Sequence, residues 1–85
     1  MATIFEDDAL SDLMYWVRED RKTAAKIHKL IQDIQRNGLS TGEGKPERLK
    51  YVSAWSRRID KENRLVYDVK DGKLHILSCK GHYED

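Results

Sequence analysis

Glu47, Lys50, Arg58, Arg64, His82 and Tyr83 supply the side-chain types needed to cut RNA without a metal, by attack of a ribose 2′-hydroxyl on its own phosphate. In that chemistry a carboxylate takes the 2′-hydroxyl proton and a protonated imidazole gives one to the departing 5′-oxygen. Glu47 and His82 are the candidates for those two roles. Arginine as a bidentate fork and lysine as a point charge stabilise the charge that builds up on the phosphorane-like transition state. Tyr83 can stack on, or hydrogen-bond, the nucleotide beside the scissile bond. Each residue also has a plainer reading. Glu47 can be a surface carboxylate paired with Lys50, Arg57 and Arg58 can be charges that protect an exposed strand edge, and His82 can be a solvated tail imidazole. Chain ends fray unless tied down, so a working His82 requires that the apolar run around Leu74, Ile76 and Leu77 hold it in place.

The chain that must position these groups has 85 residues and a mass of 10.0 kDa. It is expected to be one domain, residues 1–85, with a thin core, since domains this small bury only about 60 to 65% of their unfolded surface. No apolar run approaches the roughly 20 residues needed to cross a bilayer. The first residues have no basic stretch followed by an apolar one, so no signal peptide, no membrane association and a cytoplasmic location are expected. A single cysteine, Cys79, cannot form an internal disulfide, and three scattered histidines offer no metal-ligand spacing. Neither a metal nor another cofactor is expected. The net charge of +1 conceals segregation: residues 1–20 hold six acids against Arg18 alone, whereas residues 43–64 hold seven bases against four acids. Those bases are Lys45, Arg48, Lys50, Arg57, Arg58, Lys61 and Arg64, interleaved with the aromatic residues Tyr51, Trp55 and, just beyond, Tyr67. Such a pattern suits a surface that meets phosphates and stacks bases, or a solvated strand face.

Thr3 to Glu6 reads as a short strand. Asp7 or Asp8 can then cap a helix whose Leu10, Leu13, Met14 and Val17 form one apolar stripe. Asp20 is the cap of a second helix, with Ala24, Ile27, Leu30, Ile31 and Ile34 on one face, His28 beside it and Asn37-Gly38 as the stop. Gly42, Gly44 and Pro46 mark the main loop, and the glycines lack the Gly-x4-Gly-Lys-Ser/Thr spacing of a phosphate-binding loop. Strands are expected at Glu47 to Tyr51, Ala54 to Ile59, Arg64 to Lys70 and Lys73 to Lys80, the last two joined by a tight Asp71-Gly72 hairpin. The order β-α-α-β-β-β-β is α+β: two helices packed on one face of an antiparallel sheet.

Five blocks in this order carry a resemblance: Gly44-Lys45-Pro46-Glu47, Leu49-Lys50, Trp55-Ser56-Arg57-Arg58-Ile59, Glu62-Asn63-Arg64-Leu65-Val66-Tyr67 and Cys79-Lys80-Gly81-His82-Tyr83. Together they resemble the YoeB/Txe toxins of bacterial type II toxin-antitoxin pairs, within the RelE/ParE superfamily. The resemblance implies a RelE/ParE-like fold and a ribosome-dependent endoribonuclease (an mRNA interferase) that cuts mRNA in the A site and so inhibits translation. It also implies neutralisation by a YefM/Axe-type antitoxin, with a homodimer or a toxin-antitoxin heterocomplex as the assembly. Carried over by residue, the general base falls on Glu47, the general acid on His82 and the phosphate-stabilising arginine on Arg64, with Tyr83 beside the acid. Lys45, Lys50, Arg57 and Arg58 fall among the RNA contacts, although Arg57 can instead face the core or the solvent. Glu62 falls on an acid that orients the arginines. Two other readings remain open from the residues alone: a non-catalytic ribosome- or RNA-binding module, and a ParE-like gyrase inhibitor.

The chain departs from the pattern in three places. The loop from Lys50 to Trp55 is shorter than the usual form, Asn63 stands where a histidine is common, and Glu84-Asp85 follow Tyr83. Those two acids would favour protonated His82 or repel RNA. The geometry also sets a condition. In a regular hairpin closed by Asp71-Gly72, Arg64 lies opposite Cys79 and His82 points to the other face of the sheet. A bulge or bend at Gly81 is therefore expected to re-aim it.

Overall fold

In a computed structural model, which describes residues 1–82, the chain forms β1 (Thr3–Phe5), α1 (Asp7–Glu19), α2 (Arg21–Asn37), β2 (Glu47–Arg48), β3 (Trp55–Arg58), β4 (Arg64–Lys70) and β5 (Lys73–Ser78). The five strands make one sheet in the order β1-β5-β4-β3-β2. β2 to β5 run antiparallel as expected, and β1 joins β5 in parallel, so the sheet is mixed. A parallel neighbour needs a long crossover between its strands, and everything from α1 to β4 supplies it.

α1 begins after Glu6, not at an aspartate cap, and no side chain caps it. Asp7 and Asp8 instead occupy its first turn, where negative charge suits the helix dipole. α2 is capped as expected: the Asp20 carboxylate accepts from the Thr23 N–H at 3.3 Å and the Thr23 hydroxyl at 2.8 Å. Gly38, with φ 90, ends it, its N–H donating to the Ile34 carbonyl.

The expected stripe of α2 is the observed one, with Ile27, Leu30, Ile31 and Ile34 buried. That of α1 is rotated. Ala9 is fully buried, and Leu13 and Trp16 pack on the same core, while Leu10, Met14 and Val17 are exposed. The cause is tertiary: the Trp16 indole N–H donates to the Cys79 carbonyl at 2.8 Å and the Asp12 carboxylate accepts from the Cys79 N–H at 3.0 Å, which turns that face of the helix to the sheet.

The main core lies between the helices and one sheet face, from which Leu65, Tyr67, Leu74, Ile76 and Cys79 project. Leu49, Ala54 and Val66, with Leu77 packed on them, form a smaller cluster on the opposite face. Asp71 and Gly72, both at positive φ, close the β4–β5 hairpin. None of the helices among the described residues is long and apolar enough to cross a membrane.

Candidate active site

Strand alternation decides which charges meet. In β3 and β4, Arg58 lies opposite Arg64 and Ser56 opposite Val66, and in β2 Glu47 lies opposite Ser56. Residues directly opposite share a face, so Glu47, Ser56, Arg58 and Arg64 stand together on the face away from the helices. There the Arg64 Nη1 lies 3.5 Å from Glu47 Oε2 and donates to the Ser56 hydroxyl at 3.2 Å. The Arg64 side chain is 14% exposed and that of Glu47 is 64% exposed, so the guanidinium is seated and the carboxylate is free to move. Arg58, opposite Arg64, is exposed, as are Lys45 and Lys50. The shortened loop keeps this register, because the Leu49 N–H donates to the Ala54 carbonyl at 3.0 Å and Arg48 still faces Trp55.

Two irregularities bring the chain before His82 to the start of β4. The β4–β5 ladder slips by one residue between Val66 and Tyr67: Tyr67 pairs with Ile76 but Val66 with Ser78, leaving Leu77 as the extra residue. The expected pairing of Arg64 with Cys79 is thereby corrected. Continued, the shifted register sets Leu65 against Cys79, and both are buried in the main core. The bend expected at Gly81 is also present, at φ 90. There the Arg64 N–H donates to the Gly81 carbonyl at 3.0 Å, and the Gly81 N–H donates to Asn63 Oδ1 at 2.8 Å. His82, exposed, follows directly. Tyr83, Glu84 and Asp85 lie outside the described residues, so the expectations placed on them have no structural counterpart.

Two expected contacts are corrected. Arg57 is fully buried on the helix side of the sheet and is no RNA contact. It forms an ion pair with Asp33 and donates to the carbonyls of Glu43 at 3.0 Å, Gly38 at 2.8 Å and Thr41 at 2.8 Å, and to the Tyr67 hydroxyl at 3.0 Å. The Tyr67 hydroxyl donates in turn to the Leu39 carbonyl at 2.7 Å. This explains Gly42 and Gly44: a Cβ on Gly42 would run into the Asp33 carboxylate, and one on Gly44 would come within 3.0 Å of both Arg57 Cβ and the Arg58 carbonyl. Glu62 is exposed in the turn after β3 and makes no ion pair with Arg58 or Arg64 among the described residues. Its N–H instead donates to the Asp60 carboxylate at 2.8 Å.

Ser56, Asn63 and Asp33 were missed as residues that matter to the site. Only Asn63 left a signal, the Asp60-x-x-Asn63 spacing of a side-chain-closed turn. Cys79 is no nucleophile, since burial, with the Asp12 charge adding to it, pushes its thiol up to about 12. No group of three or more His, Cys, Asp or Glu among the described residues could hold a metal. A groove of about 690 Å³ between α1, α2 and β1, lined by Phe5, Leu13, Ile27 and His28 among others, shares no residue with the Glu47–Arg64 cluster.

The model of the YoeB-like toxin of bacterial type II toxin-antitoxin systems matches residues 5–83. The chain belongs to that family. It is 47% identical over 81 residues to Toxin YoeB of Mycobacterium bovis, covering 93% of this chain and 94% of that one. In three dimensions this YoeB-like toxin is similar to the YoeB dimer of Staphylococcus aureus, with a TM-score of 0.92 at 42% identity. It is also similar to the heterotetrameric YoeB-YefM toxin-antitoxin complex of that organism, with a TM-score of 0.89 at 44% identity. Each of the two alignments covers 98% of both chains. The two-helix, five-strand α+β architecture is thus that of the family.

Proposed function

We propose that this YoeB-like toxin is a metal-independent, ribosome-dependent mRNA endoribonuclease. The observation that carries the reading is the cluster on the open sheet face: the Arg64 guanidinium, seated by Ser56, stands 3.5 Å from the Glu47 carboxylate, with the chain leading into His82 hydrogen-bonded to the start of β4. Glu47 takes the proton of the 2′-hydroxyl as the O2′–P bond forms. His82 gives a proton to the 5′-oxygen as the P–O5′ bond breaks, leaving a 2′,3′-cyclic phosphate and a 5′-hydroxyl. Arg64 holds the non-bridging oxygens, whose charge grows in the transition state. Its contact with an exposed carboxylate is worth about 1 kcal/mol or less, so a phosphate displaces it at little cost and frees Glu47 for the proton. Arg58, Lys45 and Lys50 extend the cationic surface along the RNA backbone, and Tyr83 contacts the adjacent nucleotide. Dependence on the ribosome is supported by membership in the family.

A YefM-like antitoxin is the proposed neutralising partner, supported by the Staphylococcus aureus YoeB-YefM complex. Leu10, Met14 and Val17, apolar and exposed on α1, suit a chain laid along the helices. The deciding experiment is primer extension on mRNA from a translating extract, with wild type beside Glu47→Gln and His82→Gln. Each substitution is expected to slow cleavage by about 10²- to 10⁴-fold. Unchanged cutting by both would dismiss acid-base catalysis. Translation arrest without any cutting by the wild type would leave a binding module, and DNA damage in its place would indicate a gyrase poison.

A further inference from the structure

The two peptide planes that precede His82 are both fixed by residues at the start of β4. The plane between Lys80 and Gly81 is held through its N–H by Asn63 Oδ1 at 2.8 Å, and the plane between Gly81 and His82 through its carbonyl by the Arg64 N–H at 3.0 Å. Asn63 can only present its oxygen to Gly81, because its Nδ2 is engaged by the Asp60 carboxylate at 3.1 and 3.0 Å, and a carboxylate accepts but does not donate. The Asp60 carboxylate also accepts from the backbone N–H of Glu62 and of Asn63. Burial works to raise its pKa, but the bonds from the Asn63 side chain and these two N–H groups outweigh it, so it stays below the usual carboxylate range and remains an acceptor.

We infer that Asn63 is a positioning residue that sets His82 through Gly81, with Asp60 fixing the orientation of the Asn63 amide. The inference rests on the reading of His82 as the general acid. Arg64 carries the transition-state guanidinium on its side chain and, through its own N–H, holds the carbonyl beside His82. Adjacent residues therefore locate the phosphate-binding group and the proton donor, and Asn63 supplies the second of the two bonds that set the donor. Glycine at 81 lets the chain take φ 90, where a side chain is strained although nothing lies within 4 Å to block one. That freedom leaves the segment dependent on its two hydrogen bonds for its direction.

The test is single-turnover cleavage on ribosomes programmed with an mRNA whose scissile position is either natural or carries sulfur in place of the bridging 5′-oxygen. A thiolate leaves without a proton, so the sulfur substrate needs no general acid. Asn63→Ala keeps the bonds from the Ile59 and Asp60 N–H groups to the Asn63 carbonyl, so the turn stands. On the natural substrate it is expected to lower the saturating rate by about 10-fold, with half-saturation unchanged. The loss should vanish on the sulfur substrate and in a His82→Gln background, where the two substitutions share one effect. A wild-type rate for Asn63→Ala overturns the inference. So does a loss that persists on sulfur or multiplies with His82→Gln. Full activity of His82→Gln on the natural substrate would instead overturn the reading of His82 itself.

Discussion

Arg57 and Arg58 are neighbours in β3, and strand alternation sends them to opposite faces of the sheet. Arg57 meets the helices, where all its N–H groups are taken up by Asp33, three loop carbonyls and the Tyr67 hydroxyl. Arg58 points to the open face opposite Arg64, exposed and beside the Glu47 carboxylate's cluster. The same side chain thus serves two ends. A guanidinium saturated by fixed internal acceptors is a strut that ties residues 38–44, and hence the approach to Glu47, to the core. One that keeps N–H groups toward water can take a phosphate.

The sharpest break of this comparison is Arg64→Ala on the open face. It is expected to reduce ribosomal mRNA cleavage by about 10²- to 10³-fold, with a thermal unfolding midpoint close to that of the wild type. The mirror experiment is Arg57→Leu, which strands the Asp33 carboxylate and the loop carbonyls. Loss of about 3 kcal/mol in denaturant unfolding is expected, the size found when one partner of a buried pair is removed. Tyr67→Phe removes a link in the same network and leaves the Leu39 carbonyl and Arg57 Nε without it, for an expected 1 to 2 kcal/mol or so. Ser56→Ala, which takes away the support of Arg64 but not the guanidinium, should slow cleavage by about 5-fold, the equivalent of roughly 1 kcal/mol.

Acid probes the inward side of this comparison through Asp33. The Asp33 carboxyl is held below its ordinary 3.8, first by the hydrogen bond from Arg57, against the effect of burial and with help from the Glu43 N–H and Asn37. A folded-state pKa below the unfolded value means that this contribution is complete above about 3.8 and is lost as pH falls through the folded value. Thermal unfolding midpoints followed from pH 5 to pH 2 should fall less steeply for Asp33→Asn than for the wild type.

Much of this molecule was legible as pattern. Asp20 as a cap, the buried face of α2, β4 to the residue and the Asp71-Gly72 turn all follow from local rules, because each is decided by neighbours within a few positions. The two strands flanking the shortened loop came out shorter than the pattern suggested, since residues 49–54 close on themselves between them. The stripe of α1 failed for a different reason. Leu10, Met14 and Val17 match a helical period as well as Ala9, Leu13 and Trp16 do, and only the hydrogen bonds from Trp16 and to Asp12, both on Cys79, choose between them.

Residue types and their order, with the five blocks that mark the family, determined the α+β class, the family and the acids and bases available for chemistry. What folding alone decided was which of them meet. The sequence cannot say that Arg57 goes inward and Arg58 outward, because that depends on which sheet face the helices cover. Nor can it place the extra residue at Leu77, because a ladder slip depends on packing Cys79 and Leu65 into one core. A single-residue slip reverses every side chain beyond it, so the site's geometry rests on contacts between positions far apart in the chain.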